Sequence, residues 1–343
     1  MEKNEKHLDI KNILEYIIRV RCNSMVTMKD IAKQLNISRC TVSNILNDKL
    51  EGKSYKKETI DLVLQTAKEM GYVSNSIAQS LKTGVTKTIA VVLPDFANPY
   101  YINIVKEIEQ AAAEDDYNLI ICIAEEKLEK ENKILRMLRS KMVDGIIISP
   151  ISYRKSLQNI QGMKVVCFDR KVEGKEIPYV VADNEEATRI ITQMMLNEGV
   201  KRPLYIATSI DDYTIRYRVE GFKKALHENG LEFQEEQICY NIYNESQAYE
   251  CLTGLVQDKG IFFDGIILST NYVVYGIREA MIELGIDIPL AGFDNFAGSN
   301  LEKDRMLIAI WPEKEMARMA YKQLSRLIHN QAAESAILQH KLL

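Results

Sequence analysis

Two sets of side chains in this sequence have types and spacings suited to chemistry on another molecule. The first lies in ISRCTVSN, residues 37–44, where Ser38, Arg39, Thr41 and Asn44 surround the thiol of Cys40. An arginine guanidinium offers a planar fork of donors that fits the edge of guanine, or a phosphate. A thiol is small and weakly polar, and suits close apolar contact with a thymine methyl or a base edge. Hydroxyls and amides such as those of Ser38, Thr41 and Asn44 donate to phosphate oxygens, which fixes register more than sequence. The second set is scattered. Asp95, Phe96, Asn98 and Tyr100, then Asp169 and Arg170, Asp183 and Asn184, Asn271, and Asp294 each follow a short apolar run. Such acids and amides bind hydroxyls, an acid in a cleft can also give or take a proton, and each can equally cap a helix or hold a turn.

Several chemistries are disfavoured. LPDFANPYY lacks the glycine pattern of a phosphate loop, which argues against a dinucleotide enzyme, and no nucleophile and base form a local constellation. Cys22, Cys40, Cys122, Cys167, Cys239 and Cys251 show no CxxC or zinc-ligand spacing, so they are expected to be thiols, with Cys122 and Cys167 in core strands. Neither metal nor cofactor is expected. A formal net charge of -4 argues against an overall nucleic-acid coat but leaves room for a local basic patch, which Lys49, Lys53, Lys56 and Lys57 supply. No apolar run has membrane-spanning length, and MEKNEKHLDI lacks the order of a secretory signal. A cytoplasmic protein with no membrane partner is expected.

The first set needs helices to present it. Thr27 with Asp30 predicts a cap for MKDIAKQL, whose Met28, Ile31, Ala32 and Leu35 share a face. Ser38 predicts a cap for RCTVSNIL, with Val42, Ile45 and Leu46 turned inward. Two short helices joined by a turn of about three or four residues form a helix-turn-helix, whose second helix enters the major groove. A third helix, KKETIDLVLQTAKEM, brings Ile60, Val63, Leu64, Ala67 and Met70 to close the core. Asn75 starts a short segment with Ile77, Ala78 and Leu81 that is too short to be secure alone. Ahead of the head, Leu8, Ile10, Ile13, Leu14, Ile17 and Ile18 recur at near-helical spacing. The polar face there mixes acids with bases, so packing on the head or a partner is expected rather than membrane contact.

The second set needs sheets. TIAVVLPD, YNLIICIA, VDGIIISP, MKVVCFD, YVVAD, RPLYIAT, FDGIILST and IPLAGFD are apolar throughout, and amphipathic segments such as YYINIVKEIEQAAAED separate many of them. Runs buried on both faces imply parallel sheets covered by helices, and so many strands favour two doubly wound lobes over one sheet. Binding groups in such lobes sit just beyond the carboxyl ends of the strands, where the scattered acids and amides fall.

The stretch from Met28 to Leu81 resembles the DNA-binding head and hinge of the lac repressor family of bacterial transcription regulators, through DIAKQLNIS, TVSNILN, ETIDLVLQTAKEMGY and Asn75, Ala78 and Leu81. Residues 85–343 resemble that family's regulatory part, whose lobes are similar to periplasmic sugar-binding proteins, through LPDFANPYY, VVCFDR, VADN, RYRVEGF and AGFDN. The resemblance implies a multidomain chain, with an all-α helix-turn-helix head and a two-lobed α/β periplasmic-binding-protein-like domain. It implies an atypical extension at 1–24, a head at 25–73, a hinge at 74–84 and an effector-binding and dimerisation domain at 85–343. The first lobe would take about 85–182 and 313–334, the second about 183–312 and 335–343.

Further implications concern residues. Thr27, Ser38, Arg39, Cys40, Thr41 and Asn44 would face DNA, with Asn75, Ala78 and Leu81 in the hinge and Leu81 as a minor-groove wedge. Arg216 and Asp294 would bind effector hydroxyls, beside Asn98, Arg170 and Asn271, while Phe96 or Tyr100 covers an apolar ring face. Tyr272 stands where the family commonly has aspartate, and Trp311 where a polar residue is frequent, so both reshape the effector pocket. Ser74, Gln79 and Ile60 replace a frequent proline and two frequent arginines, removing phosphate or minor-groove contacts that Lys53, Lys56 and Lys57 partly replace. The expected function is sequence-specific regulation of transcription, as a repressor, by a homodimer on an imperfect palindrome of double-stranded operator DNA, controlled by a small-molecule effector such as a sugar. The alternative is a sugar-processing enzyme with an accessory DNA-binding module; a non-enzyme is expected.

Overall fold

The computed structural model describes residues 26–47, 55–72, 83–96, 98–293 and 306–342. They fall into two compact units divided between Thr83 and Gly84. The extension at 1–24, Lys49 and Lys53, the hinge positions Asn75, Ala78 and Leu81, and Asp294 lie outside the described residues.

The first unit holds helices α1 (Met28–Leu35), α2 (Arg39–Leu46) and α3 (Lys57–Glu69). At the start of α1 the Thr27 N–H donates to Asp30 Oδ2 at 2.9 Å while the Asp30 N–H donates to Thr27 Oγ1 at 3.4 Å. This reciprocal capping box satisfies two amides that the helix itself cannot. Asn36 ends the helix in the left-handed region at φ 53°, a conformation asparagine tolerates better than most residues. Ser38 then caps α2, accepting the Thr41 N–H at 3.0 Å. Ile31, Ala32, Val42, Ile45, Val63 and Ala67 form the buried core. Leu64, expected in that core, is 48% exposed. One residue advances a helix by about 100°, and Val63 already occupies the inward position.

The second unit contains two six-stranded sheets. In the first lie β1 (Thr88–Leu93), β2 (Asn118–Ile123), β3 (Gly145–Ile148), β4 (Val165–Phe168), β5 (Tyr179–Ala182) and β11 (Ala336–Leu338), in the order β11-β5-β4-β3-β1-β2 and all parallel. In the second lie β6 (Pro203–Ile206), β7 (Ile238–Cys239), β8 (Gly265–Leu268), β9 (Leu290–Phe293), β10 (Met306–Ile310) and β12 (Lys341–Leu342), in the order β12-β10-β9-β8-β6-β7. Only β12 pairs antiparallel, against β10.

The inner strands of each sheet are largely buried on both faces, which is why they read as unbroken apolar runs, while the edge strand β2 is partly exposed. In β1, Ile89, Val91 and Leu93 join one core with helices α4 (Pro99–Glu114) and α10 (Glu313–Ile328), while Ala90 and Val92 face the opposite core with α5 (Leu128–Ser140). In β6, Leu204 and Ile206 face α8 (Glu245–Lys259) and α9 (Val274–Leu284), whereas Tyr205 faces α6 (Asn184–Asn197) and α7 (Tyr213–Glu228).

The chain passes between lobes at Asp183, at Trp311 and Pro312, and at Gln339 and His340. The expected second lobe included residues 335–343, but Ala336–Leu338 pairs with β5 in the first sheet. Only β12 returns to the second. The outer crossing segments are bonded to each other. The Asp183 N–H donates to the Leu338 carbonyl at 2.8 Å, and Gln339 Nε2 donates to Asp183 Oδ2 at 3.1 Å.

Helix α7 lies against α6 so closely that a Cβ at Gly221 would run into the backbone carbonyl of Glu185. The same approach brings Arg218 Nε to Asn184 Oδ1 at 2.8 Å. Gly221→Ala is therefore expected to cost about 1–3 kcal/mol, the usual penalty for overpacking. Urea unfolding monitored by circular dichroism checks this, and an unchanged midpoint would show that the helices separate freely.

Candidate functional site

At the carboxyl ends of both sheets a cleft of about 610 Å³ opens between the lobes. The first lobe contributes Asp95 and Asn98 after β1, Glu126 after β2, Ile151 and Ser152 after β3, and Asp169 and Arg170 after β4. The second contributes Thr208, Ser209, Asp211 and Asp212 after β6, Arg218 from α7, Tyr243 beyond β7, and Thr270 to Tyr272 after β8. This is where a doubly wound fold binds its ligands.

Arg170 stands at the centre, and a tight turn aims it. Asp169 has φ 63°, and the Arg170 N–H donates back to the Phe168 carbonyl at 2.6 Å. Such a turn is strained for a residue with a side chain, and surrounding contacts must hold it. They do: Tyr101 Oη and Ser149 Oγ donate to Asp169 Oδ2 at 2.9 and 3.1 Å. Burial raises the pKa of the Asp169 carboxyl, outweighing the pull of Arg170 beside it. The Arg170 guanidinium is then surrounded by acids. Its two terminal nitrogens donate to both carboxylate oxygens of Glu126 at 3.1 Å, and one of them also meets Asp212 Oδ2 at 3.1 Å. Burial works against its charge, but Asp212, Tyr101, Glu126 and Asp169 together hold it protonated well above the ordinary range. Because Glu126 belongs to one lobe and Asp212 to the other, Arg170 ties the lobes together. A second tie is Tyr272, whose hydroxyl donates to Asp95 Oδ2 at 2.9 Å.

The floor of the cleft is aromatic. Tyr100 and Trp311 stack at 4.9 Å between centroids, and the Arg218 guanidinium lies 3.4 Å from the Phe293 ring and 5.0 Å from that of Trp311. Arg218 is 3% exposed and donates to Asn184 and to the Ser269 carbonyl. His340, in the last crossing segment, packs on Phe293 and Trp311 at 5.6 and 4.9 Å.

Asn98, Tyr100, Arg170, Asn271, Tyr272 and Trp311 thus come together as expected for one cleft. Phe96 does not: it is 43% exposed and outside the lining. Arg216 does not either. Its guanidinium lies 5.7 Å from the Tyr153 ring, in an aromatic contact beside the cleft, and Arg218 takes the expected place. Two residues along a helix point about 200° apart, and Arg218 is in phase with buried Ile215, Val219 and Phe222. That periodicity was the available signal. Asp212 was equally available, since the strand-end rule applies to β6 as it does to β1. Glu126, three residues past β2, carried the same mark, whereas Tyr243 carried none.

In the first unit Thr27, Ser38, Arg39 and Cys40 are exposed, and Thr41 is half-buried with its hydroxyl 2.9 Å from that of Ser38. Asn44 donates to Tyr55 Oη at 2.9 Å and to Cys40 Sγ at 3.6 Å within the unit. Arg39 and Cys40 therefore project from the first turn of α2, with the thiol oriented by an amide one turn on.

Residues 86–298 match the family model of periplasmic binding proteins and the sugar binding domain of the LacI family, and residues 27–75 that of bacterial regulatory proteins of the lacI family. The HTH-type transcriptional regulator RegA of Clostridium saccharobutylicum is 30% identical over 331 residues, covering 92% of this chain and 97% of that protein. Among solved structures, the lac repressor dimer bound to operator and the anti-inducer ONPF superposes with a TM-score of 0.79 at 18% identity, over 93% of this chain and 97% of that one. The transcriptional regulator CelR in complex with cellobiose superposes with a TM-score of 0.68 at 22% identity, over 93% and 98%. At these identities the two structures establish a shared fold.

Burial and the neighbouring Arg218 charge push the His340 imidazole down to about 3 from its ordinary 6.5. Between those values the unfolded chain carries a proton that the folded chain refuses, so stability present above pH 6.5 is lost on acidification toward 3. His340→Phe should flatten the stability profile across that window by close to one proton. Denaturant midpoints measured against pH read this directly, and an unchanged slope would place the acid sensitivity elsewhere.

Proposed function

We infer the mode of action from one premise: the chain belongs to the lacI family of bacterial regulatory proteins. It is a DNA-binding regulator of transcription, acting as a repressor, whose second unit carries an effector-binding fold. The observation that carries the further reading is the cleft itself, built at strand ends from both lobes and fastened across by Arg170 and Tyr272. A ligand seated there exchanges contacts with groups on both sides, and so favours one arrangement of the lobes over another.

In this reading α2 lies in the major groove with Arg39 on a base edge or a phosphate and Cys40 in apolar contact. One such helix reads only a few base pairs, so two copies of the chain bind an imperfect palindrome. Residues 74–84 carry the state of the lobes to the duplex. The effector is a small polyhydroxy compound such as a sugar, which hydroxyl-binding groups over an aromatic floor suit well; the cellobiose held by CelR supports that class. Asn98, Arg170, Arg218, Asn271 and Trp311 contact it. Control of this kind requires different affinity for the two lobe arrangements, since equal affinity shifts neither.

A screen of sugars and related metabolites against operator affinity tests the proposal. At least one compound should change the wild-type affinity by a factor in the range of about 5 to 150, the usual size of an allosteric coupling. Arg218→Ala should abolish that response and Arg216→Ala should retain it. Turnover of the compound by the purified protein would favour the enzyme alternative, and a response that survives Arg218→Ala would remove the cleft from the mechanism.

A further inference from the structure

The charge around the cleft narrows the chemistry of the effector, on the reading that this cleft is the effector site. Among its described lining residues are five carboxyls, Asp95, Glu126, Asp169, Asp211 and Asp212, against two guanidiniums, Arg170 and Arg218. The two guanidiniums differ in what already engages them: carboxylates for Arg170, neutral acceptors and aromatic rings for Arg218. Arg170 is bidentate on Glu126, bonded to Asp212 and 3.7 Å from Asp169. Arg218 is engaged by Asn184, the Ser269 carbonyl and the faces of Phe293 and Trp311.

A phosphate ester brings about -1.5 to -2 charges at neutral pH. Its usual receptor is an arginine fork, which meets two oxygens at once in a charge-assisted pair. In this cleft the fork that points inward from the strand ends already holds a carboxylate of the same geometry. A phosphate would have to displace Glu126 and Asp212 and then sit beside them, like charge against like charge. An uncharged polyol meets no such opposition, because hydroxyls donate to carboxylates and accept from Asn98, Ser152, Thr208 and Asn271.

We propose that the cleft selects an unphosphorylated polyhydroxy effector, and that Glu126 and Asp212 determine this by occupying the guanidinium of Arg170 from opposite lobes. They are specificity-determining residues in a negative sense: they close the protein's best anion receptor. Asp212 also caps α7, accepting the Thr214 N–H at 2.7 Å, and asparagine preserves that role.

The test replaces both carboxylates by their amides, Glu126→Gln with Asp212→Asn, in the full chain. Trp311 is the one tryptophan and lines the cleft, so its fluorescence reports occupancy without knowledge of the natural effector or of any operator. Inorganic phosphate and glucose 6-phosphate are titrated into wild type, the double amide variant, and the double variant carrying Arg170→Ala, after thermal unfolding confirms each is folded. The single variants Glu126→Gln and Asp212→Asn stand in if the double does not fold. Wild type should give no saturable response. The amide variant should bind phosphate saturably, and Arg170→Ala should remove that binding. Saturable phosphate binding by wild type overturns the proposal. A folded amide variant that binds no better than wild type overturns it as well, because then the carboxylates are not what keeps phosphate out. Neither result bears on whether the protein represses transcription, which the operator experiment reads separately.

Discussion

A buried cation shared between two lobes is the constraint on which this cleft depends. Taking a guanidinium out of water is costly unless its partners are well placed, and the Arg170 side chain keeps only 12% of its exposure while Glu126 remains half exposed. Arg170 is bonded to Glu126 of its own lobe and to Asp212 of the other, and the second contact favours this closure of the lobes. The strained turn at Asp169 serves the same end. It points Arg170 into the gap while Tyr101 and Ser149 hold Asp169 behind it. Tyr272 on Asp95 adds a hydroxyl–carboxylate tie across the same opening.

The crossing segments give that closure something to move against. Asp183, Trp311 and His340 come from three separate passages of the chain between lobes, yet the outer two are hydrogen-bonded to each other and Trp311 stacks on His340. Arg218 rests on Trp311 and Phe293 and reaches Asn184, one residue beyond the first crossing. The aromatic floor is therefore continuous with the crossing segments, and with Arg170 through Asp212, the capping residue of the helix that carries Arg218. Few side chains link ligand, hinge and latch.

Much of this was legible in the sequence, for reasons that differ by element. Strands buried on both faces announce themselves as apolar runs, and each run named from the sequence holds a strand. The short strands β7, β11 and β12 have no pattern of their own; they exist because a neighbouring strand offers a ladder. For β11 that neighbour lies in the opposite lobe from the one expected. The caps at Thr27 and Ser38 are local chemistry and were read correctly, whereas Leu64 was assigned inward one residue out of phase. The arginine of RYRVEGF was placed at 216 by its position in a motif, although helical phase with Ile215, Val219 and Phe222 marks 218. Glu126 and Asp212 matter only jointly, because of how two lobes meet, and no spacing in a single chain records that.

The protein's own side chains hold the cleft shut through Arg170. Electron spin resonance distances between labels on the outer surfaces of the two lobes test it most directly, in wild type and in Arg170→Ala without added ligand. Wild type should give one short, narrow distance distribution, and the variant a longer or broader one. Identical distributions in the two proteins would contradict it, since the lobes would then be closed by something other than the cation between them.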